Sequence, residues 1–205
     1  PALSLVIEPL TEVLAASAAS AKLDPTSSAV FMLNSLNSLA APLCVQAEAA
    51  PQPAAVDPAA DSAVSRIQEH IANHIGALVA EQAARFLTDC GIAQKLAISR
   101  HLGSLSAGQG PLSGILGLEP RSIEVTARSF ESALLDVGNA LLLPHVDRLL
   151  NPRFRATIRQ AVAEQIAISY TELWTLVTSE SSGYPDRGSR LFRYKPEQIK
   201  TLLDV

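Results

Sequence analysis

Aromatic residues are scarce in this chain: five Phe, three Tyr and one Trp make up 4% of 205 residues. Charged residues are also few at 18%, against 48% hydrophobic, so Ala, Leu, Ile and Val carry the apolar content. That balance suits helices packed on helices and is too apolar for a disordered chain. Basic charge is not in excess: the formal net charge is −4 and the sequence pI about 5.6, which excludes a general polyanion binder and so a nucleic-acid partner of that kind. No apolar run approaches the ~20 residues that span a bilayer. Cys44 and Cys90 are the only cysteines. They match neither a disulfide framework nor a metal knuckle, and both lie in apolar helical patterns, so buried thiols in a reducing compartment are expected. No Asn-x-Ser/Thr acceptor occurs, since Asn34 and Asn37 are each followed by Ser and then Leu. The chain opens at Pro1 with Met32 as its one methionine, which reads as a piece of something longer with no signal peptide before the first helix.

What is present is unevenly spread. Residues 1–63 hold 17 alanines, seven of the 13 prolines and a net charge of −5, one lysine against six acids. The organisation expected is N-terminal helices over 1–47, an Ala/Pro-rich linker or insertion over 48–60, and a C-terminal helical bundle over 61–205. Leu5 to Ala21 reads as a short helix interrupted early by Pro9. Asp24-Pro25 supplies an N-cap and a proline at the first helical position. Val30, Leu33, Leu36, Leu39 and Leu43 then form a stripe that should end near Pro42 or Cys44. Pro51, Pro53 and Pro58 forbid a continuous helix through the linker.

From Asp61 or Ser62 the longest pattern begins. Val64, Ile67, Ile71, His74 or Ile75, Leu78, Gln82 and Phe86 step by three or four, with Val79, Leu87 and Cys90 widening the stripe and Leu96 and Ile98 extending it. Unbroken from Val64 to Leu102 it would be about 58 Å long at the helical rise, suggesting a rod, although Gly91 is a candidate kink. Gly103 to Gly117 reads as a glycine-rich loop. Pro120 starts a helix carrying Ile123, Ala127, Phe130, Leu134 and Leu135 that Gly138 breaks. An apolar segment follows from Leu141 to Leu150. Pro152 opens a second long helix with Phe154, Ile158, Val162, Ile166, Tyr170, Trp174 and Val177 on one stripe, ending at Ser181 to Tyr184 with Gly183 as C-cap. Pro196 to Leu203 is the last helix. With no strand pattern and no internal repeat, the chain reads as all-α, an elongated helical bundle.

Catalytic and metal patterns fail on spacing. His70 and His74 share a helical face, as two zinc ligands do, but Ile71 stands where the metalloprotease pattern needs Glu, and no third ligand is near. His74 is therefore expected as a hydrogen-bonded boundary residue. No Gly-x-Ser-x-Gly elbow exists, no pattern nominates a nucleophile for His101 or His145, and the glycines form no phosphate cradle. Glu81 and Glu164 lack the His three residues on that a di-iron site requires. These readings lead to no enzyme, no cofactor and no metal.

Arg148, Arg153, Arg155 and Arg159 run without an acid from Arg148 to Gln160. A solvated face is the default for such a run. The sharper reading makes Arg153, Arg155 and Arg159 candidate partner-binding residues for an acidic surface or for anionic head groups. A second cluster, Arg187, Arg190, Arg193 and Lys195, flanks Leu191, Phe192 and Tyr194 and reads as a loop or docking segment.

Several strings, in order, resemble one family. Ile71-Ala72-Asn73-His74-Ile75, Leu78-Val79-Ala80-Glu81-Gln82-Ala83, Leu87-Thr88 and Gly91-Ile92 are similar to the late region of subunit 6 of the conserved oligomeric Golgi (COG) complex. Phe31-Met32-Leu33-Asn34-Ser35-Leu36, Gln109-Gly110-Pro111-Leu112-Ser113 and Leu141-Leu142-Leu143-Pro144 resemble its other segments. Tyr170-Thr171-Glu172-Leu173-Trp174, Gly183-Tyr184-Pro185 and Pro196-Glu197-Gln198-Ile199-Lys200-Thr201-Leu202-Leu203 resemble its extreme C-terminus. The resemblance covers roughly residues 25–205, with 1–24 matching least and 48–60 reading as inserted.

That resemblance implies a non-catalytic subunit of a vesicle-tethering complex, peripheral on the cytosolic face of the Golgi membrane. It implies service in intra-Golgi retrograde transport and hence in Golgi glycosylation, on a rod of stacked helical bundles. The partners implied are other COG subunits, SNARE-type fusion proteins and Rab GTPases, and no catalytic residue is carried over. The expectation is a protein-interaction scaffold, with a peripheral lipid-binding helical domain using its Arg-rich segments as the alternative.

Overall fold

The structure is a computed structural model that describes residues 4–48, 58–104, 111–135 and 146–204. Among these residues every regular element is helical, as the apolar periodicity predicts: α1 Ser4–Ser20, α2 Pro25–Glu48, α3 Pro58–Asp89, α4 Ile92–Ser104, α5 Pro120–Leu135, α6 Pro152–Thr178 and α7 Pro196–Leu203. Short 3-10 turns lie at Leu112–Gly114, Val146–Arg148, Glu180–Ser182 and Pro185–Leu191. The chain forms two compact units, Pro1–Glu81 with Leu142–Ile158, and Gln82–Leu141 with Arg159–Val205.

In the first unit α1, α2 and α3 meet around Ile7, Leu36 and Ile67, with Ala40 and Ile71 against them. The α1 helix runs through Pro9 rather than being interrupted there. Pro9 lies within the second turn, where it removes one N–H from the ladder and crowds the Leu5 carbonyl without ending the helix. Lys22 closes α1 in the left-handed region at φ 53°, its N–H donating to the Ala19 carbonyl at 3.0 Å and that of Leu23 to Ala18 at 3.3 Å. This is a Schellman cap, here without the usual glycine. Asp24 caps α2 as its sequence predicts, the Oδ1 accepting from the Ser27 N–H at 3.0 Å. The α2 helix continues to Glu48, past both Pro42 and Cys44, near which its end was expected. Of the 48–60 stretch, residues 49–57 lie outside the described residues, and α3 starts at Pro58, earlier than the Asp61 or Ser62 expected.

The second unit breaks the long helical pattern at Gly91, so no single helix spans Val64 to Leu102. Gly91 stands at φ 82°, a conformation that favours glycine, and a Cβ there would make a tight contact of 3.3 Å with the Thr126 hydroxyl. The unit's core gathers the rare aromatics. Phe130 stacks on Tyr170 with centroids 4.8 Å apart, Phe86 meets Phe130 edge-on at 5.9 Å, and Phe192 meets Tyr170 edge-on at 5.7 Å. Phe130, Ile123, Ile166 and Leu173 are fully buried. The α6 helix ends at Thr178, short of Ser181. There the Ser182 hydroxyl bonds to the Val177 and Ser179 carbonyls at 2.8 and 2.7 Å, turning the chain into a 3-10 turn that Gly183 caps at φ 75°. The last helix, α7, has the bounds the sequence predicts. Gly138 and His145 lie outside the described residues, as do the side chains of Leu43 and Cys44.

Candidate interaction surface

Within the first unit, the chain from Val146 to Arg155 forms a hydrogen-bonded entry to α6. Val146 and Leu149 are buried, and the Leu149 N–H closes the 3-10 turn on the Val146 carbonyl at 3.1 Å. Asn151-Pro152 then starts the helix in the way this pair is suited to. The Asn151 Oδ1 accepts from the Arg153 N–H at 2.9 Å, and proline takes the first position, where its missing N–H costs nothing. Two asparagines of α2, three residues apart and so on one helical face, hold this entry from the side. Asn34 donates to the Arg148 carbonyl at 3.0 Å and accepts from the Leu150 N–H at 2.8 Å. Asn37 accepts from the Asn151 amide at 2.8 Å.

What this clamp presents outward is mixed. Arg148, Leu150, Pro152 and Arg153 are exposed, Leu150 at 72%. Arg155 is half-buried, two residues and hence about 200° of helical rotation from Arg153. Among the described residues no carboxylate pairs with Arg148, Arg153 or Arg155. Arg159 is exposed, belongs to the second unit and is already engaged in an interaction of its own. Of the three candidate arginines, Arg153 and Arg155 therefore share one unit and Arg159 does not. Leu150 was read from sequence only as the end of an apolar segment. The signal for its exposure lies in its setting, between Arg148 and the helix-starting Asn151-Pro152.

Elsewhere several titratable groups are engaged within the structure. Glu8 of α1 faces Arg66 at 3.4 Å and His70 Nε2 at 3.7 Å on α3. Partial burial, with His70 four residues away adding to it, holds the His74 imidazole below its ordinary pKa, in keeping with a boundary position. Glu81 accepts from the Thr26 hydroxyl at 2.7 Å, and Glu164 from the Gln160 amide at 3.2 Å. Among the described residues no three His, Cys, Asp or Glu side chains converge as a metal set. The Cys90 thiol is buried, which with Asp89 nearby pushes its pKa up to about 11 and leaves it a poor nucleophile. Burial, with Glu119 nearby, pushes the Tyr184 phenol up to about 12, and its OH donates to the Leu118 carbonyl. No helix among the described residues is long and apolar enough to cross a membrane.

Of the second basic cluster, the Arg187 side chain lies outside the described residues, and the segment from Arg190 to Tyr194 is held within the second unit. Phe192 is buried, Arg190 pairs with Asp186 at 3.1 Å, and Arg193 lies 5.4 Å from the centroid of the Tyr194 ring. Glu131 of α5 accepts from the Arg193 N–H at 3.0 Å, and the Tyr170 OH donates to the Tyr194 carbonyl at 2.6 Å.

Comparison with known proteins agrees with this helical chain. The family model described as conserved oligomeric Golgi complex subunit 6, C-terminal, matches residues 1–203, so residues 1–24 match along with the rest. The curated subunit 6 of Dictyostelium discoideum is 30% identical over the whole chain, which spans 28% of that relative. The Arabidopsis thaliana subunit 6 is 29% identical over 88% of the chain and 24% of the relative, and the Homo sapiens one 27% over 98% and 28%. The chain thus spans about a quarter of the length of the curated relatives it matches. No solved structure is a significant match. The chain belongs to the family of conserved oligomeric Golgi complex subunit 6, whose C-terminal region it matches from residue 1 to residue 203.

Proposed function

We propose that this chain is a non-catalytic, protein-binding part of a Golgi vesicle-tethering complex. It works as a scaffold whose buried stripes hold helices together while exposed surfaces take up partners. The partners are the other subunits of the complex, SNARE-type fusion proteins and Rab GTPases, met at the cytosolic face of the Golgi membrane. By concentrating several such partners on one subunit, multivalent contact raises the chance of productive vesicle capture in intra-Golgi retrograde transport, on which Golgi glycosylation depends. The observation that carries this reading is the family match over residues 1–203. The start of α6, with Arg153 and Arg155 on a clamped backbone, is the surface we assign to partner contact.

The test is co-elution of the purified chain with the remaining subunits of the complex, with SNARE cytoplasmic domains and with GTP-loaded Rab proteins, each added separately. Retention of at least one of them in a complex stable to gel filtration is expected. A chain that elutes alone in every mixture removes the scaffold role from this part of the protein.

A further inference from the structure

We infer that the entry to α6 docks an acidic amphipathic helical segment of a partner protein, with Leu150 as the apolar anchor and Arg148 and Arg153 as the flanking cations. The inference deepens the scaffold reading and rests on it for the existence of a protein partner. An exposed leucine alone carries no meaning, because soluble proteins show many. Here, however, the side chain stands 72% exposed on a backbone that is held on both sides. Asn34 bonds the carbonyl of Arg148 before it and the N–H of Leu150 itself, while Asn151 caps the helix after it. Ordering cost on the receptor side is therefore already met before a ligand arrives.

Charge supplies the second, independent observation. Several arginines pair with acids within the chain: Arg66 with Glu8, Arg100 with Glu172 at 2.7 Å, Arg128 with Glu124 and Arg190 with Asp186, whereas Arg85 and Arg121 stand exposed and apart from any described carboxylate. What sets the surroundings of Leu150 apart is density: Arg148, Arg153 and Arg155 fall within residues 148–155. The one acid of the stretch, Asp147, is engaged in an interaction of its own, and no described carboxylate meets Arg148, Arg153 or Arg155. Guanidinium forks match carboxylates two bonds at a time, so the complementary ligand carries acids flanking an apolar side chain, a spacing one face of a helix provides. A lipid surface fits less well: a single leucine is a weak membrane anchor, and the chain as a whole carries −4.

The experiment uses the whole 205-residue chain. Its probes are a fluorescein-labelled synthetic peptide with Glu and Leu at helical spacing, a scrambled peptide of the same composition, and phosphatidylserine–phosphatidylcholine vesicles. The ordered peptide is expected to bind more tightly than the scrambled one. That binding is expected to fall by about tenfold or more in Leu150→Asp and in the double variant Arg148→Glu/Arg153→Glu. Arg190→Glu, distant in sequence, leaves it unchanged, and unaltered circular-dichroism melts show that the variants fold; Leu150→Ser is the milder change if Leu150→Asp does not. Equal binding of the two peptides, indifference to the variants, or binding of vesicles alone each overturns the inference. If the wild-type chain still co-elutes with tether partners, only this assignment falls and the scaffold reading stands.

Discussion

Asn34 on α2 holds Leu150 at the entry to α6, its Oδ1 accepting the Leu150 N–H at 2.8 Å across 116 residues of chain. The same amide donates to the Arg148 carbonyl at 3.0 Å, so one side chain satisfies two backbone groups that no helix or strand would pair. Asn34→Ala is expected to lower stability by about 1–2 kcal/mol in urea unfolding, and Asn34→Asp to lose the donated bond while keeping the accepted one. Wild-type stability in both variants would mean that solvent replaces the clamp without cost.

Phe130 is fully buried between Tyr170 and Phe86. Truncation to alanine removes a large apolar volume and both ring contacts, and is expected to cost about 3–5 kcal/mol. A chemical-denaturation midpoint near that of the wild type would show that the second unit's core lies elsewhere.

Two glycines of this chain should respond in opposite directions. Gly183 stands at φ 75°, and a Cβ there would sit 2.3 Å from the Pro111 Cβ, so Gly183→Ala is expected to destabilise by more than about 1 kcal/mol. Gly76 lies exposed inside α3, where a Cβ would meet nothing within 4 Å, and Gly76→Ala is expected to stabilise by about 0.5–1 kcal/mol. Thermal melts of the pair decide it; the same sign for both would contradict the packing described for one of them.

Acidification should weaken the first unit through His74. Its folded pKa lies below the ordinary 6.5 because burial, and then His70, disfavour the charged ring. The unfolded chain therefore binds this proton more readily, and stability falls as pH drops below about 6.5 towards the folded pKa. Melting temperature followed from pH 7.5 down to about pH 5 is expected to decline less steeply in His74→Gln than in the wild type. Parallel curves would assign the acid sensitivity to other groups.

Arg100 and Glu172 form a bidentate pair on the surface of the second unit, with bonds of 3.1 and 2.7 Å. Because both are exposed, the pair contributes little to stability. Glu172→Gln is expected to change the unfolding free energy by less than about 1 kcal/mol, and added salt to shrink even that difference. A larger loss measured by urea titration would give this pair a structural part that its exposure does not suggest.

Local chemistry by itself determined much of this protein. Apolar residues at three- and four-residue steps placed α2, α5, α6 and α7, since one face of a helix must be buried wherever that helix packs. Asp24-Pro25, Pro120, Pro152 and Pro196 marked where those helices begin, because a proline suits a first helical position, and Asp24 and Asn151 cap free amides at two of the four. The ordered strings from Phe31 to Leu203 carried the family resemblance. Helix ends and the exposed surface were another matter. Pro9 and Pro42 do not stop their helices, and α6 yields at Thr178 to the bonds of Ser179 and Ser182, outcomes set by competition between local bonds and the burial of neighbours. Leu150 has the hydropathy of a core residue, yet it is exposed because Leu149 and Val146 take the interior while Asn34, distant in sequence, pins the backbone around it and Asn37 holds the Asn151 side chain. Only the tertiary structure decided that, because which side of a turn faces the core depends on what the rest of the chain packs against it.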